Sequence, residues 1–160
     1  MKKPPASELT SPSSARQATA TPTVLFVGAL DDDRSRLEQI LGAPAWVVIA
    51  THDLASAVAV LQEHEIAVVL CERYLQPGTY VDMLEHINVL ADPPSLIVTS
   101  RLADEHLWAE ALNLGAWDVL ATPFDGTEAL RSIHLAWQHW HQRGELQAKP
   151  AKGKMAATGM

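Results

Sequence analysis

Acidic and hydroxyl side chains follow three of the apolar segments of this chain. Three aspartates, at 31–33, come shortly after the first segment, Glu72 follows the third and Ser100 follows the fourth. Carboxylates and a hydroxyl group at one edge of a sheet can bind a hard cation and a phosphoryl group. A site that also needs a lysine to neutralise the phosphoryl charge is excluded, because no lysine occurs between Lys3 and Lys149.

The elements that must position these side chains are short apolar segments with helical segments between them. The apolar segments are residues 23–28, 46–50, 66–71, 95–99 and 119–121. Between them, apolar residues recur at helical spacing, and Asp53 and Asp104 are suited to begin two of the helices. Strands that read as continuous Val/Ile/Leu runs are buried on both faces, as in a parallel sheet covered by helices. The pattern predicts an α/β, doubly wound (βα)5 domain with a five-stranded parallel sheet.

The composition limits the classes of partner. The 160 residues are enough for one domain with a single core, and 48% of them are hydrophobic. Residues 22–144 carry 17 acidic residues and six arginines, a net charge of -11, which argues against nucleic acid as the main partner. No apolar run approaches the roughly 20 residues that span a bilayer, and the first residues lack the apolar segment of a signal peptide. We therefore expect a cytoplasmic protein that binds neither nucleic acid nor a membrane.

The two terminal segments differ from the body of the chain. Residues 1–21 and 144–160 are rich in small and polar residues and have no apolar periodicity, which predicts disordered tails around a domain at 22–143. Cys71 is the only cysteine, so no intrachain disulfide can form. Its acidic neighbour Glu72 would raise the pKa of the thiol, and we expect a small buried side chain rather than a reactive one.

Three segments of the chain resemble the receiver domains of two-component response regulators, which have the CheY-like fold. The segments are VVLCERYLQPGT at 68–79, SLIVTS at 95–100 and ALNLGAWDVLATPF at 111–124. The resemblance rests on the joint spacing of a Gly-Ala pair, a Pro-Phe pair and Ser100, and it covers about residues 22–143. It implies a flavodoxin-like sheet with strand order 2-1-3-4-5, functional groups at the carboxyl ends of the strands, and a cis Thr122–Pro123 bond.

The resemblance also identifies functional groups that this chain lacks. Working receivers use two acids after the first strand to hold Mg²⁺ and an aspartate after the third strand as the phosphoacceptor. They also have a Ser or Thr after the fourth strand, an aromatic switch residue in the fifth strand, and a lysine directly before a proline. The corresponding residues here are Gly28 and Ala29, Glu72, Ser100, Val119, and Thr122 before Pro123. Metal ligands and counter-charge are missing, and a glutamate displaces the nucleophile by a bond length of about 1.5 Å. We therefore expect no phosphotransfer, no enzymatic activity and no cofactor, Mg²⁺ included.

Two groups of acidic residues leave alternatives open. Asp31, Asp32 and Asp33 either begin the first helix, with Asp31 or Asp32 as its cap, or return a carboxylate to the site. Glu72 either takes the place of a phosphorylated aspartate or is a solvent-facing remnant. A functional receiver in altered geometry, built on Glu72 and the three aspartates, is therefore one alternative. A second is a small flavodoxin-like ligand-binding protein, against which the lack of a Gly-rich loop argues.

Tryptophans concentrate in the predicted fourth helix, fifth strand and fifth helix, the face that receivers use to dimerise or to bind partners. They are Trp108, Trp117, Trp137 and Trp140. Tryptophan is enriched at binding hot spots. We expect Trp137 in the core, on a stripe with Leu130 and Ile133, and the other three at the surface. The sequence thus predicts a stand-alone receiver-like protein of two-component signalling. It would act without phosphorylation by binding a sensor kinase or effector, or as a homodimer through its last two helices.

Overall fold

The structure, a computed structural model, describes residues 21–148 and contains one five-stranded parallel sheet. The strands are β1 Thr23–Val27, β2 Val47–Thr51, β3 Val68–Glu72, β4 Ser95–Ser100 and β5 Asp118–Ala121. Every neighbouring pair is parallel, and the order across the sheet is β2-β1-β3-β4-β5. The predicted doubly wound (βα)5 fold with the CheY-like strand order is confirmed.

Five helices alternate with the strands, and two of them begin at the predicted caps. The helices are α1 Asp31–Leu41, α2 Leu54–Glu63, α3 Tyr80–Asn88, α4 Glu105–Asn113 and α5 Gly126–Ala148. The Asp53 and Asp104 carboxylates accept hydrogen bonds from backbone N–H groups in the first turns of α2 and α4, at 2.8 and 2.9 Å. Helix α1 begins after Leu30 with no side-chain cap. The prediction that Asp31 or Asp32 caps α1 was wrong, although both lie in its first turn, where the helix dipole favours acids.

The sheet is buried on both faces, because alternate residues of each central strand enter different clusters. In β1, Leu25 and Val27 pack with residues of α2, α3 and α4, whereas Val24 and Phe26 pack with α1 and α5. All four side chains are fully buried or nearly so. Cys71 lies in the first cluster, as expected of a small buried side chain. The two-sided burial explains why the strands read as continuous apolar runs.

The buried face of α5 differs from the predicted stripe. Ala129, Ile133 and Ala136 face the sheet, while Leu130 is exposed. Two alanines on the inner face let the helix approach the strands closely, and the Ser95 hydroxyl donates a hydrogen bond to the Ala136 carbonyl at 3.4 Å. The wrong prediction followed the largest apolar side chains, whereas the close packing of α5 on the sheet selects small ones.

Helix α5 also extends beyond the predicted domain boundary at residue 143 and ends at Ala148. The last turns include a contact of 3.3 Å between His141 Nε2 and the Glu145 carboxylate, four residues apart on one side of the helix. The remaining parts of the predicted disordered tails, residues 1–20 and 149–160, lie outside the described residues. Within 21–148, no helix is both long and apolar enough to cross a membrane. The Thr122–Pro123 peptide bond is cis.

Candidate functional site

The carboxyl ends of the strands surround a cavity of about 280 Å³, which we call the strand-end cavity. Its acidic and hydroxyl side chains belong to Asp33, Glu72, Thr99, Ser100 and Thr122. Its remaining lining comes from the loops that follow β1, β3 and β4 and consists of Leu30, Arg73, Tyr74, Arg101 and Leu102. Several residues singled out in the sequence thus meet in one place, as parallel strands require.

Glu72 folds back over Gly28, at the end of the neighbouring strand. A Cβ atom built on Gly28 would lie 2.7 Å from Glu72 Oε2 and 2.9 Å from its Cγ, closer than real Cβ contacts. The Ala29 N–H group donates a weak hydrogen bond to Glu72 Oε1 at 3.4 Å. The Glu72 carboxylate therefore occupies the space in which a Cβ atom at position 28 would stand, and any larger residue there would have to displace the Glu72 side chain.

The Glu72 carboxylate is poorly satisfied in this position. Oε2 is buried and has no hydrogen-bond partner among the residues that the structure describes. Burial raises the pKa of Glu72 and the nearby Asp33 charge raises it further, against the lowering effects of the Ala29 and Leu30 N–H groups and of Arg101. Glu72 is therefore neither a fully solvated remnant nor a carboxylate held by a cationic partner.

The three aspartates of α1 separate into one cavity residue and two surface residues. Asp31 and Asp32 are exposed, and Asp31 lies 3.4 Å from His52. Asp33 is only 4% exposed and lines the strand-end cavity. Burial raises the pKa of Asp33, partly offset by Arg101. The three aspartates therefore lie in the first turn of α1, and Asp33 also lines the same cavity as Glu72.

The remaining positions of the resemblance supply hydroxyl groups and no charge. Ser100 Oγ accepts a hydrogen bond from the Leu102 N–H group at 3.1 Å, which orders the turn after β4. Thr122 is buried at the cavity, where the resemblance expects a lysine. Val119 is buried in β5 and has no ring that could change its exposure. None of these side chains supplies a positive charge to the cavity.

The cavity does not fit the Mg²⁺ ion that the resemblance would bring. Gly28 and Ala29 offer no side-chain oxygens, and Glu72 fills the space beside them. Within residues 21–148 no group of three or more His, Cys, Asp or Glu side chains is arranged to hold a metal. A hard dication prefers about six oxygen ligands, of which the cavity offers two carboxyl groups.

Two arginines and an apolar rim also line the cavity, and neither was predicted from the sequence. Arg73 and Arg101 each follow directly on a strand end, and the Arg73 guanidinium lies 5.0 Å from the centre of the Tyr74 ring. Neither arginine forms an ion pair within 4.0 Å with Asp33 or Glu72 in the described part of the chain. Reading one or two residues beyond each strand end would have identified these positions.

The predicted tryptophan face is only partly exposed. Trp108 is 51% exposed, whereas Trp140 is 5% exposed and belongs to the core, so its predicted surface position was wrong. Trp137 is partly buried and packs edge-on against Trp46 with ring centres 6.4 Å apart, so it is not the core residue predicted. Trp117 is also partly buried and stacks on a histidine of α5 at 4.9 Å.

Comparisons with known proteins identify the fold. No protein-family model matches the chain, and no curated protein sequence matches it significantly. The signal receiver domain of an HD domain-containing protein from Pseudomonas fluorescens Pf-5 is 24% identical, with a TM-score of 0.72 and coverage of 82% of this chain and 97% of that chain. The beryllofluoride-activated NtrC4 receiver domain dimer is 21% identical, with a TM-score of 0.68 and coverage of 74% of this chain and 98% of that chain. The chemotaxis response regulator CheY4 of Vibrio cholerae is 16% identical, with a TM-score of 0.66 and coverage of 73% of this chain and 99% of that chain. The chain thus has the fold of the CheY-like receiver domains of response regulators.

Proposed function

We propose that this protein is a receiver-like component of two-component signalling that binds protein partners and does not accept a phosphoryl group. The observation that carries the proposal is the position of Glu72, whose carboxylate fills the side-chain space at Gly28. Beside Glu72, Gly28 and Ala29 offer no side-chain oxygens that could hold a metal. The receiver structures that resemble the chain support the signalling role through their shared fold.

Three separate losses at the strand-end cavity argue against phosphotransfer. The positions after β1 carry no metal ligands, and Thr122 carries no ammonium group. The glutamate at 72 is longer than an aspartate, and a misplacement of about 1 Å can cost roughly 100-fold in rate. A phosphoryl group would therefore meet neither a metal nor a lysine and would lie beside the carboxyl group of Asp33.

A role in binding is supported by what remains exposed. Trp108 on α4 is a large aromatic side chain that is half exposed, and such residues are common at hot spots. A neighbour in the comparisons is a receiver domain dimer. We propose a cytoplasmic, non-enzymatic protein whose partner is a sensor kinase or effector, or a second copy bound through the surface of α4 and α5.

Acetyl phosphate tests the central claim. On incubation with acetyl phosphate and Mg²⁺, the intact mass of the wild-type protein should stay unchanged. A variant that restores the four receiver residues, Gly28→Asp, Ala29→Asp, Glu72→Asp and Thr122→Lys, is the matched control and should gain the mass of one phosphate. A mass gain in the wild type that disappears on Glu72→Ala would overturn the proposal.

A second candidate function is phosphorylation in altered geometry, and the cavity gives it one supporting observation. Asp33 is buried beside Glu72, so the cavity still contains two carboxyl groups. If this pair held a metal and a phosphoryl group, the wild type would gain a phosphate, and Asp33→Asn would abolish the gain. The same mass measurement therefore separates the two candidates.

A further inference from the structure

The strand-end cavity combines an acidic interior with an apolar rim. Asp33 and Glu72 supply two carboxyl groups to its lining, and the Asp33 charge acts on Glu72. Around them stand Leu30, Tyr74 and Leu102, which are 41%, 64% and 73% exposed and come from three different loops. Exposed large apolar side chains around a polar cavity are typical of a binding site.

The two carboxyl groups lack a cation in contact with them. Asp33 forms no hydrogen bond or ion pair with another residue of the range 21–148, and Glu72 Oε2 is buried without a partner there. Arg101 acts on both groups electrostatically but makes no contact within 4.0 Å, and Arg73 lies over the Tyr74 ring. A buried carboxylate is costly unless it is paired, so a cation that enters the cavity would gain two partners.

The shape of the site selects an ammonium group on an alkyl chain. An ammonium group has three donors and no acceptor, and it can bind two carboxylates at once. The alkyl stem of a lysine packs against apolar surface while its charged end reaches polar groups. The body of this chain contains no lysine that could supply this group, because its five lysines are Lys2, Lys3, Lys149, Lys152 and Lys154.

We propose that the strand-end cavity is the docking site for a lysine side chain of a partner protein. Its ammonium group binds Asp33 and Glu72, and its stem contacts Leu30, Tyr74 and Leu102. This inference rests on the proposed binding function and assigns it a place and a chemistry.

A lysine of a partner fits the arrangement better than a lysine of the terminal segments. The cavity lies at the carboxyl edge of the sheet, whereas β1 begins at the amino edge. The last half of α5 also lies at the amino edge, because Arg143 donates a hydrogen bond to the Pro93 carbonyl just before β4. The described part of the chain therefore begins, at residue 21, and ends, at residue 148, at the edge opposite the cavity.

Binding of n-butylammonium, a model of the lysine side chain, tests the proposal on the full-length protein labelled with ¹⁵N. Amide signals of Ala29, Asp33, Glu72 and Tyr74 should shift saturably in two-dimensional NMR spectra. The affinity should fall by about tenfold or more in Asp33→Asn and in Glu72→Gln, since each removes one charge-assisted hydrogen bond. Asp32→Asn is the matched control, because Asp32 is exposed on the same turn, and it should bind like the wild type.

Three outcomes would overturn the proposal. One is that n-butanol, which has a similar alkyl chain and no charge, shifts the same signals to the same extent. Another is that both charge-removing variants, with well-dispersed spectra that show them folded, bind n-butylammonium as tightly as the wild type. The third is that replacing all five lysines by glutamine shifts these signals without any probe, because the cavity would then be filled by the chain's own tails. The mass test with acetyl phosphate is independent of all three, so the two proposals can fail separately.

Discussion

A methyl group added at Gly28 should destabilise the wild-type protein and stabilise a variant that lacks the Glu72 carboxylate. Gly28 is not among the glycines with positive φ, so alanine can adopt its backbone conformation. In such a place Gly→Ala stabilises by about 0.4 to 1 kcal/mol, because it restricts the unfolded chain. The new Cβ atom, however, would lie 2.7 to 2.9 Å from three atoms of Glu72, which must move.

The size of the effect follows from these opposing contributions. Overpacking typically costs about 1 to 3 kcal/mol. After the gain of about 0.4 to 1 kcal/mol is subtracted, Gly28→Ala should lower the free energy of unfolding of the wild type by up to about 2.6 kcal/mol, and by less the more easily the Glu72 side chain moves away. In the Glu72→Ala background the obstacle is absent, and the same substitution should raise it by about 0.4 to 1 kcal/mol. The coupling energy between the two positions should therefore be about 1 to 3 kcal/mol.

Urea unfolding of the wild type, both single variants and the double variant at constant pH measures this coupling. Residues that act independently give additive changes within about 0.5 kcal/mol. If Gly28→Ala changes stability equally in both backgrounds, Glu72 does not occupy the space at position 28.

Three further predictions concern the core, the thiol and the acidic pair. Trp140→Ala should lower the free energy of unfolding by about 3 to 5 kcal/mol, because Trp140 is buried, and Trp108→Ala by less than about 0.5 kcal/mol, because Trp108 is half exposed. Equal losses for the two variants in chemical denaturation would contradict this difference in burial. Burial and the Glu72 charge raise the pKa of the Cys71 thiol far above its usual value. Iodoacetamide should therefore modify the native protein much more slowly than the urea-unfolded protein. Comparable rates of modification, measured by mass spectrometry, would refute this prediction. Burial raises the pKa of Glu72, so the folded state binds more protons than the unfolded state as the pH rises above the usual Glu pKa of about 4. The wild type should therefore lose stability relative to Glu72→Gln as the pH rises above about 4. Thermal melts that show no such loss relative to Glu72→Gln, or the same loss of the wild type relative to Asp32→Asn, would contradict it.

The fold could be predicted from the sequence because its signals are local. Continuous apolar runs located the five strands, and Asp53 and Asp104 marked two helix starts through bonds within a single turn. The strand order came from the resemblance, since periodicity says nothing about which strands are neighbours. The phase of α5 was mistaken because Trp137 and Trp140 are equally apolar in sequence, and only the close packing of Ala136 on the sheet decides between them.

The site was predicted in its location but not in its arrangement. Residues at the carboxyl ends of parallel strands must meet, so Glu72 and Ser100 could be placed together from the sequence. Three consecutive aspartates look alike in a sequence, and only the rotation of α1 determines that Asp33 turns inwards. Likewise, the Glu72 side chain lies in the space beside Gly28, which belongs to the end of a different strand. A local sequence pattern cannot show such a contact.

The strand order has a consequence for the order in which the sheet can assemble during synthesis. β1 pairs with β2 and β3, β4 pairs with β3, and β5 pairs with β4. Once Glu72 has emerged from the ribosome, the first three strands can pair. Each later strand is then added at one edge of the sheet and does not have to enter between strands that are already paired. A chain that stalls before β4 would expose the unpaired edge of β3, whose side chains are almost entirely apolar. Such an edge is a template for pairing with another chain, so aggregation of incomplete chains should begin there.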